Sequence, residues 1–449
     1  MKRGLRGRGR KPGLKREINF FTAVMYGVGL ILGAGVYALI GEAAGMAGNS
    51  VWLSFTFGAV VAMLTGLSYM ELISMFPTSA AEYVYVKHAF RNRLLAFNVG
   101  WMGILAGLIA ASAVALGFAG YIHALFGVPV VPAAIGLIAV MSFVNFWGMG
   151  ESAKLNVVFS LVEVGGLLFV IAIALLFGHY GSVDYLEMPN GITGTLSAAA
   201  LIFFAYIGFE EMANISEEAK APRKMLPKAL LASVMITTVI YIAVSAAAVS
   251  LVGWEQLAES KAPLALAVSS VLGERAFWLM SVIALFATAN TVLITMIVGS
   301  RMMYGMAKDG SLPKQFAMVH SKRFTPWVSV VAAMIVAMGF VLLGQIDLVA
   351  GVTDFGTFFI FVVVNAAVIV LRYRMPKARR EFTTPLNIGK FPLVPLFGIV
   401  FALMLASHLS FDVMSIGALV VASGVIVYLL YTRKAAALLR PLPARPPNA

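Results

Sequence analysis

The sequence predicts an all-α polytopic membrane protein with twelve transmembrane helices. Three observations carry this: an apolar composition, twelve separate apolar stretches of spanning length, and basic residues confined to alternate connections. The chain has 449 residues, 61% hydrophobic and only 12% charged. A soluble domain carries about 25% charged residues. Mean hydropathy is +0.92.

The spans run at about 18–45, 51–76, 94–123, 129–147, 153–178, 194–216, 227–252, 274–306, 326–344, 351–373, 392–408 and 411–431. Each has the apolar length to cross a ~30 Å core at ~1.5 Å per residue. Spans 11 and 12 are the shortest. Charge tests the count. With the N-terminus inside, all 33 Lys and Arg except Lys261 and Arg275 fall on cytoplasmic segments. The positive-inside rule therefore supports twelve spans with both termini in the cytoplasm, and the expected location is the plasma (inner) membrane. The extracytoplasmic connections near 179–193 and 253–273 are short, so no soluble domain is expected. The tail from Pro441 to Ala449 is proline-rich and reads as disordered.

Composition also excludes chemistry. There is no cysteine, so disulfides and thiolate ligation are ruled out. His88, His123, His179, His320 and His408 are scattered without metal-ligand spacing. No nucleophile–base pair or phosphate loop is visible, so neither an enzyme nor a cofactor is expected. A selectivity filter is also missing, which argues against a channel. Net charge is +13, but it lies in short loops and not on one face. The run from Lys2 to Lys11 reads as an anchor on anionic lipid, not a nucleic-acid site. It is not a cleavable signal, since the apolar stretch after it is too long.

Two spans are interrupted by glycine in matching places. The first reads Gly27-Val28-Gly29-Leu30-Ile31-Leu32-Gly33-Ala34-Gly35, the second Phe204-Ala205-Tyr206-Ile207-Gly208-Phe209-Glu210. Glycine weakens a helix by roughly 1 kcal/mol relative to alanine. Paired weak points, one per half of the chain, point to a substrate site in a secondary transporter. The competing reading is close helix packing at glycine.

Further motifs follow in order. Span 2 ends Tyr69-Met70-Glu71-Leu72, then Phe76-Pro77 and Ala80-Ala81-Glu82-Tyr83. Span 5 opens Asn145-Phe146-Trp147-Gly148, then Glu151 to Asn156. Span 6 continues through Glu217-Glu218-Ala219-Lys220 to Pro227, span 8 ends Arg301-Met302-Met303-Tyr304-Gly305-Met306-Ala307-Lys308-Asp309-Gly310, and span 10 ends Leu371-Arg372-Tyr373-Arg374. Their order and spacing resemble the amino acid–polyamine–organocation transporter superfamily, closest to its cationic amino acid and prokaryotic permease branches. Ala80 and Ala81 replace two glycines of the family pattern.

The resemblance implies a 5+5 inverted repeat with discontinuous helices 1 and 6. Residues 18–178 form the first repeat and 194–373 the second, making a ten-helix core at 18–373. Helices 11 and 12 are peripheral, within 374–431. The tails are 1–17 and 432–449.

An amino acid zwitterion needs donors for its carboxylate and acceptors for its ammonium. A broken helix offers both from backbone. Gly33, Ala34 and Gly35 are therefore expected to present N–H groups to the carboxylate. Carbonyls around Leu30, Ile31, Ala205, Tyr206 and Ile207 are expected to take the ammonium, with Gly208 at the second break. Phe204 and Tyr206 would line the cavity, and Phe209 and Glu210 would gate it; packing is the alternative for each aromatic.

Glu163 sits mid-span in span 5, where a carboxylate costs ~2.5–3.5 kcal/mol on insertion scales. Close relatives place a lysine there. Glu163 is either a proton carrier or a cation ligand with Thr288 and Thr291. A neutral, structurally hydrogen-bonded acid is the third reading. Glu71 is expected hydrated or arginine-paired, and Asp354 interfacial. Glu217 and Glu218 read as a solvated loop or inner-gate network. The expected function is alternating-access import of amino acids, coupled to protons. Sodium coupling and amino acid or polyamine exchange are the alternatives. Oligomeric state is not legible.

Overall fold

The computed structural model describes residues 18–77, 81–147, 152–213, 216, 219–308, 310–321, 323 and 325–438. The basic run 2–11, Glu217, Glu218 and the tail from Pro441 lie outside the described residues.

The chain is helical nearly throughout. It opens with α1 (Phe20–Ile31) and α2 (Gly35–Ala47), followed by α3 (Val51–Met75), α4 (Ala81–Phe90), α5 (Arg93–Phe126), α6 (Val130–Trp147) and α7 (Ser152–Phe177). The second half has α8 (Gly191–Ile202), α9 (Pro222–Val252), α10 (Trp254–Glu259), α11 (Pro263–Leu272), α12 (Glu274–Lys308), α13 (Trp327–Val341) and α14 (Ile346–Arg374). After a two-residue hairpin pairing Asn387–Ile388 with Phe391–Pro392 come α15 (Leu393–Ala406) and α16 (Phe411–Leu438).

Local chemistry sets the ends. Asn19 accepts a hydrogen bond from the Thr22 N–H at 2.9 Å and starts α1. Asn92 does the same for Leu95 at α5. Pro222 opens α9, where its missing N–H costs nothing. Gly48, at φ 69°, separates α2 from α3, so one long apolar run becomes two helices.

Among the described residues, eight helical segments are long and apolar enough to cross a membrane. Shorter apolar helices include α1, α13 and α15. Helix occupies each of the twelve intervals expected from sequence. Two connections carry more structure than expected. The one after span 2 holds α4, and the one near 253–273 folds as α10 and α11.

α5 packs along α12 and α14, and α3 packs along α8 and α9. α3 and α14 are cross-linked by polar side chains. Ser68 donates to Asn365 Oδ1 at 2.6 Å, and Asn365 Nδ2 donates to Thr65 Oγ1 at 3.1 Å. Outward faces stay apolar, with Phe143 and Trp147 on α6 and Leu419, Ile426 and Leu430 on α16 exposed. Such a surface suits lipid and not water.

Candidate substrate site

Both interruptions are real breaks. α1 stops at Ile31 and α2 starts at Gly35, leaving Leu32, Gly33 and Ala34 outside regular helix. In the second half, α8 gives way to a tight 3-10 turn over Phe203–Tyr206. Ile207 is extended, with φ −60° and ψ 135°. Gly208 has φ 125°, a conformation that side chains resist. A second 3-10 turn covers Phe209–Ala213.

The two breaks touch. A β carbon at Gly35 would lie 2.7 Å from the Ala205 Cα, and one at Gly208 would lie 2.6 Å from the Leu30 carbonyl oxygen. The two readings of these glycines therefore coincide: they interrupt helices, and they let the interrupted segments meet. Gly27 is different. It lies inside α1 and packs against Ser233 of α9 and Met212.

The polar groups converge on the same place. The Tyr241 hydroxyl of α9 is 2.5 Å from the Ile31 carbonyl oxygen and 2.8 Å from that of Ala205. A phenol has one proton, so it fully satisfies only one of two such acceptors. Two carbonyls from two broken helices thus share one donor. On the donor side, the Ala34 N–H points at Thr291 Oγ1 of α12, at 3.3 Å. The Gly208 N–H donates to the Glu210 carboxylate at 3.0 Å. Expected site residues Ile31, Gly35, Ala205 and Gly208 are thereby brought together, with Ala34 and Thr291 beside them.

The aromatics divide. Tyr206 is buried and donates to the Phe55 carbonyl of α3 at 2.9 Å, with its ring edge-on to Tyr241. Phe209 packs edge-on to Tyr69 and against Phe361 of α14. Phe203 also packs at a tilt against Phe358 and edge-on to Phe361. Phe204 is buried at the break without a ring partner among these pairs.

Glu163 is 1% exposed, and its Oε1 has no hydrogen-bond partner. Tyr37 of α2 donates to the Glu163 carbonyl at 2.7 Å, and Tyr121 donates to the Tyr37 carbonyl at 3.0 Å. A chain of phenols thus runs from α5 through α2 to α7. Thr288 donates to the Ala284 carbonyl of its own helix, and Thr291 to that of Ala287. Among the described residues no hydrogen bond joins either threonine to Glu163. The structure brings Thr291 to the first break and leaves Thr288 on its own helix.

Just before α1, an isolated parallel bridge pairs Ile18 with Ala219, with the Lys220 N–H donating to the Ile18 carbonyl at 3.1 Å. Glu71 is arginine-paired but not hydrated, at 1% exposure. Arg372 grips it with two hydrogen bonds of 2.6 and 2.7 Å, Arg380 adds one at 3.1 Å, and the Thr384 N–H a fourth at 2.9 Å. Tyr69 donates to Glu82 of α4 at 3.2 Å. Burial of the Glu82 carboxyl, with Glu211 beside it, raises it to about 7.

Asp354 corrects the expectation of an interfacial carboxylate. α14 begins at Ile346, so Asp354 lies more than two turns inside the helix and is fully buried.

A sequence profile of the amino acid permease family matches residues 18–432. A branched-chain amino acid permease of Bacillus subtilis, BcaP, is 31% identical over 448 residues, covering 94% of both chains. A methylthioribose transporter of the same organism is 30% identical, covering 96% of both. Cationic amino acid transporter 4 of Mus musculus is 29% identical, covering 80% of this chain and 60% of its own.

Proposed function

Because the chain belongs to the amino acid permease family of the amino acid–polyamine–organocation superfamily, we propose that it imports amino acids by alternating access, driven by protons through Glu163. It is a multi-pass membrane transporter and not an enzyme. The finer reading is a twelve-span 5+5 inverted repeat, with both termini on the cytoplasmic side of the plasma membrane.

One observation carries the substrate reading: the Ile31 and Ala205 carbonyls converge on a single hydroxyl. An ammonium has three donors and suits two such acceptors better than one phenol does. The Ala34 N–H and the outer half-helix that starts at Gly35 supply the partial positive charge for the carboxylate. No charged side chain is needed, which agrees with a substrate recognised by its backbone ends. The relatives' names put branched-chain and cationic amino acids and methylthioribose among the compounds to test.

Proton coupling is supported by burial. A carboxylate with an unpartnered oxygen in an apolar span is costly when ionised. Taking up a proton removes that cost, and giving it up is then coupled to opening. Sodium is the runner-up, since the Thr291 hydroxyl lies at the first break.

The test is uptake into proteoliposomes of labelled leucine, isoleucine, valine, arginine and methylthioribose, with proton and sodium gradients imposed separately. Accumulation driven by the proton gradient is expected, and Glu163→Gln is expected to abolish it while homo-exchange stays measurable. Accumulation by Glu163→Gln equal to wild type sinks the coupling assignment. A sodium requirement favours the alternative.

A further inference from the structure

Among the described residues, Asp354 is the one other carboxyl sealed inside the span region with no use so far. It is 0% exposed, and neither carboxylate oxygen has a hydrogen-bond partner. A buried acid kept for structure binds something; this one holds nothing in place. Its position is informative. On α14 it shares a face with Phe358 and Phe361, four and seven residues on, and these pack against Phe203 at the second break. Asp354 therefore stands about 6 Å of helix rise from the aromatic wall of the site, on the side toward the start of α14.

The same face runs toward the start of the helix to Asp347, seven residues earlier in its first turn. α2 packs against α14, and Asp347 and Lys261 lie near enough to Glu42 of α2 to interact with it electrostatically. Glu42 and Asp347 are half-buried and Lys261 is exposed, so this group meets solvent. Lys261 is also one of the two basic residues that escape the cytoplasmic segments. The elements packed on α14 add little charge near Asp354. α8 and α15 carry no titratable side chain, and α5 carries Tyr121 and His123 with Arg93 at its first residue. α3 brings Tyr69 and Glu71 toward its far end, α4 brings Glu82, Tyr83, Tyr85, Lys87 and His88 there, and α16 has Asp412 in its first turn with Tyr428 and Tyr431 farther on; α2 adds Tyr37 and the 3-10 turn at the second break adds Tyr206.

The geometry points to Asp354 as a second proton-carrying residue, loaded from outside through the Glu42–Asp347 pair. This rests on the proton-coupled reading above and extends it to the outer half of the pathway. The step is a simple transfer. The outer aqueous phase gives up a proton through Asp347 or Glu42, an Asp354 carboxylate oxygen gains an O–H bond, and its negative charge is neutralised. Return of the proton reverses each change. Asp354 takes the proton when the outer side opens and retains it, neutral, when the wall closes over it.

Two measurements test this. The first is infrared difference spectroscopy of the protein in liposomes between acid and alkaline buffer, which needs no substrate. Asp354→Asn is expected to remove one buried carboxylic-acid carbonyl band, and Asp354→Glu to shift it. A spectrum unchanged in both variants overturns the proposal. The second is proton-driven uptake of leucine and arginine against external pH. Asp354→Asn is expected to lose the external-pH dependence that wild type shows, and Asp354→Glu to keep it with a displaced midpoint. Asp354→Asn retaining the wild-type profile overturns the proposal while leaving Glu163 coupling intact. Wild type without proton-driven uptake overturns the broader reading instead. If Asp354→Asn does not fold, the Asp354→Glu band and midpoint decide.

Discussion

Gly35 stands against Ala205 so closely that a β carbon on Gly35 would lie 2.7 Å from the Ala205 Cα. The first residue of one half-helix is thus in backbone contact with the broken segment of the other. Overpacking of this kind costs ~1–3 kcal/mol. Gly35→Ala is expected to fold but lose uptake, because the two carbonyls that face Tyr241 separate. Gly107→Ala is the control, since its β carbon meets nothing within 4 Å. Size-exclusion profiles and uptake of the two variants, side by side, check this.

Tyr241→Phe removes the donor shared by Ile31 and Ala205. Leaving these buried acceptors unsatisfied is expected to destabilise the substrate-free protein by roughly 1–3 kcal/mol. The two carbonyls are then unpartnered until a ligand arrives. The shift in melting temperature on adding a transported amino acid is therefore expected to be larger than in wild type. Thermal unfolding with and without ligand measures both effects. A ligand shift equal to that of wild type would show that the carbonyls are not the ammonium site.

Glu71 answers two buried guanidinium groups at once. Removing one partner of a buried ion pair costs ~3–5 kcal/mol. Glu71→Gln is expected to lower stability by that order, and Arg372→Gln by a comparable amount. The double variant is expected to be less destabilised than the sum, since only Arg380 is then left without its carboxylate. Thermal melts of the four proteins form the cycle.

Glu82 sets a pH dependence with a defined sign. Its ordinary value is 4.5, and burial first and Glu211 second raise it to about 7. The folded protein therefore holds this proton where the unfolded chain has released it. The contribution to stability is full below pH 4.5 and declines as pH rises through 7. Glu82→Gln is expected to flatten that decline. Melting temperature measured from pH 4 to 9 (about two units beyond the raised value) reads it directly.

The breaks were legible because glycine is where sequence marks a backbone that departs from helix. Several helix ends are legible because proline and glycine stand there, as Pro222 does at the start of α9 and Gly127 at the end of α5. Tyr241 was not. A tyrosine between Ile240 and Ile242 reads as packing, and its role exists only where α9 meets both breaks. Asp354 lies deeper than the sequence suggests because the apolar run begins at 351 whereas α14 starts at Ile346. The Glu71 ion pairs join residues some 300 positions apart, a distance over which one chain gives no pairing signal. α4 and the α10–α11 pair leave no mark in the sequence, because short helices between spans lack a long apolar run.

The links between α3 and α14 occur at two depths, Ser68 and Thr65 to Asn365 and Glu71 to Arg372. Two tie points along one helix pair suppress both sliding and hinging, so the pair behaves as a single beam. That beam carries Tyr69 and Phe361, the surfaces on which Phe203 and Phe209 rest. Motion that exposes the site to either side must then come from the broken segments travelling over a fixed aromatic bearing. Spectroscopic labels on α3 and α14 are expected to keep their separation throughout the cycle, and labels on α1 to change theirs against both.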